Sequence, residues 1–161
     1  MKTLIVYTSK YGTTEKCVEM VKESINGEVS TLNLAKESAR DISSYDTLLI
    51  GGPIYFGKGQ KSITKFVEKN KSQIKKQKVG LFIACFEGGD KVEKHFNKAF
   101  PSWLVERAFI KERLGYQFLQ DKLGKVDAFV VKNLIKVKKE VHNIFDKSIT
   151  NLAAKTNEIN A

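Results

Sequence analysis

Hydrophobic residues along this chain follow two rhythms. Short apolar runs, Leu4 to Tyr7, Thr47 to Ile50 and Val79 to Cys85, alternate with stretches in which apolar residues recur every three or four positions. The runs predict strands buried on both faces, and the recurring stretches predict amphipathic helices. Thr14, Cys17, Val18, Val21 and Ile25 predict a first helix that stops at Asn26 and Gly27. Ile63, Phe66, Val67 and Ile74 predict a second, and Val92, His95, Phe96, Ala99 and Phe100 a third that Pro101 closes or kinks. Glu28 to Leu34 and Leu114 to Leu119 read as the second and fifth strands, with a polar connection from Ala35 to Tyr45. Gly51, Gly52 and Pro53 are expected to end the third strand. Val126, Phe129, Val130, Leu134, Val137, Val141, Ile144 and Phe145 keep one stripe, which predicts a long last helix, and the polar tail after Leu152 is expected to fray. Ser102 to Lys111, with Trp103, fits neither rhythm.

Strands alternating with helices predict an α/β fold: an open, five-stranded parallel sheet with helices on both faces, joined by right-handed crossovers. At 161 residues and 42% hydrophobic, the chain has the size of one ordinary domain, 1–161, which buries about 70% of its unfolded surface. No apolar stretch approaches the roughly 18 residues a membrane span needs, and Met1 leads into a strand without a secretion-signal pattern. A cytoplasmic location is the expectation. Cys17 and Cys85 form neither a disulfide framework nor a metal cluster with His95 or His142, and read as buried packing residues. His95, on an apolar helix face, reads as a packing histidine too.

The net charge of +10 is concentrated. Lys58, Lys61, Lys65, Lys69, Lys71, Lys75, Lys76 and Lys78 are opposed by Glu68 alone, and Lys132, Lys136, Lys138 and Lys139 form a second group. Such a field attracts acidic partner proteins or an anionic membrane surface, or it serves solubility. No nucleic acid is expected, because the lysines lack interleaved aromatic platforms.

The chemistry centres on Thr8, Ser9, Lys10, Tyr11, Gly12, Thr13 and Thr14, between the first strand and the first helix. Hydroxyls, a glycine that admits close backbone approach and the free N–H groups of a helix start together make an anion site. A Walker loop would need a second glycine followed by Lys and Ser or Thr, and a dinucleotide loop three spaced glycines. A phosphatase loop would need a cysteine with an arginine close behind, and a receiver domain acidic residues after the first strand. None of these is present.

The surviving pattern resembles the FMN phosphate loop of flavodoxins, in Ile5, Val6, Tyr7, Ser9, Gly12 and Thr14, with Val18 where that family has alanine. The resemblance implies the strand order 2-1-3-4-5 and an FMN cleft where connections from strands one and three diverge. It also implies that Pro53, Ile54, Tyr55, Phe56, Gly57 and Lys58 cover the flavin ring. Gly57 would let a peptide near the ring reorient on reduction. Cys85, Phe86, Glu87, Gly88 and Gly89 would hold the pyrimidine edge through backbone N–H groups, with Phe86 stacking on the ring. The cofactor would carry the chemistry without a catalytic side chain or a metal, and Lys58 and Lys61 would favour the reduced anion, giving a less negative potential than in an acidic flavodoxin.

A closer likeness covers residues 2 to 67, where Ile50, Gly51, Ile54, Phe56, Gly57, Phe66 and Val67 look like the flavodoxin domain of menaquinone-dependent protoporphyrinogen dehydrogenases. No counterpart of that family's arginine-rich segment near the last strand is present, and no long insertion breaks strand five, as in short-chain flavodoxins. An FMN electron carrier with redox partner proteins is the first expectation. A protoporphyrinogen-oxidising flavoenzyme that reduces a quinone is the second, and a non-redox binding module on the same fold the third.

Overall fold

The structure is a computed structural model that describes residues 1–38, 40–118, 125 and 141–161. Its elements run β1 (Lys2–Tyr7), α1 (Thr13–Ser24), β2 (Glu28–Asn33), β3 (Thr47–Pro53), α2 (Lys61–Lys69), α3 (Lys71–Ile74), β4 (Lys78–Ala84), α4 (Lys91–Ala99), α5 (Ser102–Arg107), β5 (Ile110–Phe118), β6 (Val141–Ile144) and α6 (Asp146–Asn160). The sheet has six strands in the order β2-β1-β3-β4-β5-β6. The first five are parallel, as the alternation predicts, and β6 lies antiparallel on β5.

Two apolar layers hold the helices to the sheet. On one face Ile63, Phe66 and Val67 of α2, Phe96 and Ala99 of α4 and Leu104 of α5 pack on Leu48, Ile50, Leu81 and Ile83. On the other, Cys17, Val18 and Val21 of α1 and Ile149, Leu152 and Ala153 of α6 cover Ile5, Leu49, Phe82 and Leu114. Ile42 anchors the polar connection between β2 and β3, buried beside Leu48. The side chain of Gln77 fixes that connection by donating to the carbonyls of Ile42 and Tyr45 at 2.6 and 2.8 Å.

Several expectations are corrected. Gly51, Gly52 and Pro53 continue β3 instead of ending it, in register with Phe82, Ile83 and Ala84. A Cβ at Gly51 would lie 2.2 Å from the Phe82 carbonyl oxygen, so glycine is there for close packing. The single helix expected through Ile74 breaks at Asn70 into α2 and α3. Part of the unassigned stretch is α5, which buries Leu104 and Val105. The long last helix fails where it can be read: Val141–Ile144 is a strand, while residues 126–140 lie outside the described residues. The tail expected to fray is α6. It is held at its end by Asn160, whose side chain meets the hydroxyls of Thr47 at 2.6 Å and Thr3 at 3.0 Å.

Among the described residues no helix is long and apolar enough to cross a membrane, and no His, Cys, Asp and Glu cluster could hold a metal. Cys17 and Cys85 are free and buried. Burial pushes each thiol up to about 11.

Candidate cofactor site

Three loops leave the carboxyl ends of β1, β3 and β4, which adjoin in the sheet. Any parallel sheet gathers such loops at one edge, and here the connections from β1 and β3 leave toward opposite faces, opening a crevice between them.

The first loop turns through Gly12, whose φ of 90° suits a residue without Cβ. This wraps the chain so that the Ser9 hydroxyl accepts hydrogen bonds from the N–H of Gly12 at 3.2 Å and of Glu15 at 3.4 Å. An oxygen therefore already sits among the amides that open α1. Glu15 is in that same first turn, and its carboxyl is held below its usual range mainly by the Lys36 ammonium, 2.9 Å away. Thr8 and Thr14 are buried, while Ser9, Tyr11, Gly12 and Thr13 are part-exposed and Lys10 is fully at the surface.

The second loop is a tight hairpin. Tyr55 and Lys58 exchange backbone hydrogen bonds at 3.1 and 3.0 Å, and both residues between them have positive φ, Phe56 at 51° and Gly57 at 71°. Gly57 meets the demand of such a turn and Phe56 does not, since a Cβ in the left-handed region crowds the following carbonyl. Phe56 is nevertheless held there, 70% exposed. Tyr55 lies edge-on to Tyr11 of the first loop, with centroids 6.0 Å apart, and the Lys10 ammonium sits over both rings. Burial pushes the Tyr55 phenol up to about 12, so this wall stays uncharged at neutral pH.

The third loop presents Phe86, 42% exposed, with its ring against Tyr116 of β5 at 4.9 Å. Arg113 braces it from below, donating to the Phe86 carbonyl at 3.1 Å while its guanidinium lies over the Phe145 ring. A Cβ at Gly88 would come within 3.0 Å of that guanidinium. Glu87 is ion-paired with Lys91, which holds its carboxyl below the usual range. Its other oxygen lies 3.1 Å from His95 Nε2, although neither ring nitrogen of His95 makes a well-aligned hydrogen bond among the described residues. A Cβ on Gly57 would lie 4.0 Å from the His95 ring, so this buried imidazole sits between the second and third loops.

The residues expected to form the site thus gather at one end of the sheet, in two roles. Ser9, Tyr11, Gly12, Thr13, Ile54, Tyr55, Phe56, Gly57, Lys58, Phe86, Glu87, Gly88 and Gly89 are at least part-exposed. Thr8, Thr14, Pro53 and Cys85 are buried and shape the loops from behind; the Cys85 thiol turns back to the Glu87 carbonyl at 3.3 Å. Arg113 and Tyr116 were not among the expected site residues because β5 reaches the site only through the sheet order, and Phe145, expected within the last helical stripe, instead precedes α6 with its ring under the Arg113 guanidinium. The one signal in the sequence is Arg113 three residues before Tyr116 at the fifth strand.

A model of the flavodoxin domain family matches residues 4–144. The chain belongs to the flavodoxin domain family. An uncharacterised protein of Methanocaldococcus jannaschii is 34% identical over 110 residues, which are 68% of this chain and 69% of that protein. This flavodoxin domain also shares its fold with a short-chain flavodoxin associated with a bacterial microcompartment, with a TM-score of 0.61 at 12% identity over 100% of this chain and 99% of that one. A flavodoxin of Fusobacterium nucleatum, solved bound to flavin mononucleotide, superposes with a TM-score of 0.53 at 12% identity over 98% of this chain and 96% of that one.

Proposed function

We propose that this flavodoxin domain binds FMN between its three loops and serves as an electron carrier. The observation that carries the reading is the Ser9 hydroxyl oxygen, seated between the amides of Gly12 and Glu15 at the start of α1. A phosphate would meet these donors, the helix dipole and the hydroxyl of Thr13. The exposed rings of Phe56 and Phe86, which would otherwise gain nothing from facing water, give a flat ring its apolar walls. The FMN seen in the Fusobacterium nucleatum flavodoxin supports the same reading.

When bound, FMN supplies one- and two-electron redox chemistry at its ring. The protein's contribution is position and charge. Neutral Tyr55, Phe56 and Phe86 would shield a bound flavin from water. Backbone N–H groups of Gly88 and Gly89 are placed on the loop that Arg113 braces. Arg113, Lys58 and Lys61 bring positive charge to a site where reduction adds negative charge, which favours the reduced state.

The test is titration of the purified protein with FMN, followed by stepwise reduction under absorbance. One FMN per chain is expected, with a last reduction step at a less negative potential than in acidic flavodoxins. Failure to take up FMN would overturn the proposal.

A further inference from the structure

The helices on the two sides of the sheet differ in charge. α1 carries Glu15, Glu19 and Glu23 with Lys16 and Lys22, and α6 carries Asp146 and Glu158 with Lys147 and Lys155. α2 carries Lys61, Lys65 and Lys69 against Glu68, and α4 carries Lys91, Lys94 and Lys98 against Glu93. All six of these lysines are exposed. Glu93 is engaged by Lys111 at 2.6 Å and Lys91 by Glu87. Among the described residues Lys61, Lys65, Lys69, Lys94 and Lys98 have no carboxylate within ion-pair distance.

This arrangement works against the helices themselves. Lys61, Lys65 and Lys69 stand one turn apart on α2, where like charges repel. Lys61 opens the helix, and no acidic residue offsets it in the first turn, so its charge adds to the positive end of the dipole. Solubility does not require this, because α1 stays hydrated with mixed signs. The two rows also start at the cleft. α2 follows the Tyr55–Lys58 hairpin and α4 follows the Phe86 loop, and a Cβ on Gly59 would lie 2.7 Å from that of Ala99, which brings the hairpin's exit onto α4. At their head stand Phe56 and Phe86, the exposed large apolar residues of the described chain apart from Met1. Exposed aromatics beside a charged rim are the anatomy of a protein interface.

We propose that the flank formed by α2 and α4, with the rim of the cleft, is the docking surface for an acidic redox protein that exchanges electrons there. This rests on the FMN reading above. A protein is favoured over a lipid surface because a carrier must pass its electrons to another redox centre, and both helices border the hairpin at the cleft, α4 with His95 near Gly57 and Ala99 near Gly59. Opposite charges then steer the encounter, and added salt weakens it.

The test is stopped-flow reduction of the FMN-loaded protein by a reduced acidic ferredoxin across ionic strength, with the affinity of the same ferredoxin for flavin-free protein measured by calorimetry. The expected rate falls at least tenfold between low and high salt. Lys65→Glu with Lys94→Glu lowers the low-salt rate and the affinity about tenfold, while Lys22→Glu with Lys147→Glu, an equal charge change on the opposite side, leaves both near wild type. A salt-independent rate, or equal losses from both pairs, would overturn the proposal. So would a loss confined to binding of phosphatidylserine vesicles, which would assign the rows to a membrane. Failure of the FMN reading alone shows as absent flavin with the calorimetric difference intact.

Discussion

Phe56 concentrates the conflict between stability and function in one residue. A side chain in the left-handed region costs about 1–2 kcal/mol, and an additional glycine costs about 0.5–1 kcal/mol in chain entropy. Phe56→Gly is therefore expected to stabilise the flavin-free protein by up to about 1 kcal/mol in denaturant unfolding, while weakening FMN binding. A variant that loses stability would show that the Phe56 ring packs in a way its exposure conceals. Ser9→Ala removes the acceptor shared by two amides, and FMN affinity should fall roughly tenfold, about 1.4 kcal/mol, in a fluorescence titration. Cys17 gives a pH signature. Its folded pKa of about 11 lies above the ordinary value of 9.0, so its contribution is complete below about 9 and lost as pH rises from there through about 11. Thermal unfolding across that window should show a smaller decline in Cys17→Ala. At this scale the first loop was legible because hydroxyls and a glycine stand together in sequence. Arg113 and His95 were not, because their meaning lies in what the sheet brings near them.

At the level of elements, the end of the chain separates pattern from structure. The stripe from Val126 to Phe145 has helical spacing, yet Val141–Ile144 pairs with β5 because Gly115 admits it. Gly115 has a φ of 118°, and a Cβ there would lie 2.3 Å from the Asn143 carbonyl oxygen. Gly115→Ala is expected to destabilise the protein by about 2–3 kcal/mol and to raise amide exchange first in β6. Exchange that rises equally in β1 would contradict a local role. The parallel core was legible because strands buried on both faces read as unbroken apolar runs. The antiparallel edge was not, since one strand of four residues leaves too little pattern to outweigh a helical stripe. α6 escaped notice for a related reason: its polar residues look like a tail until Asn160 is seen bonded to Thr3 and Thr47.

For the whole molecule, the excess positive charge is the property that most separates this flavodoxin domain from an acidic carrier. The clustering of lysines was plain in the sequence, but their gathering on the α2 and α4 side could be read only once the crossovers were known. The same charge bears on the cofactor. Arg113→Gln is expected to leave FMN bound and shift the last reduction step to a more negative potential, because a cation near the developing charge is lost. An unchanged potential would place that guanidinium outside the field of the ring. The central claim, that the turn from Thr8 to Thr14 receives a phosphate, is tested most directly by comparing FMN with riboflavin, which lacks it, in equilibrium titrations of the flavin-free protein. The account predicts one FMN per chain, bound at least a hundredfold more tightly than riboflavin, with the gap narrowed in Ser9→Ala. Equal affinity for the two flavins, or binding of neither, would contradict it.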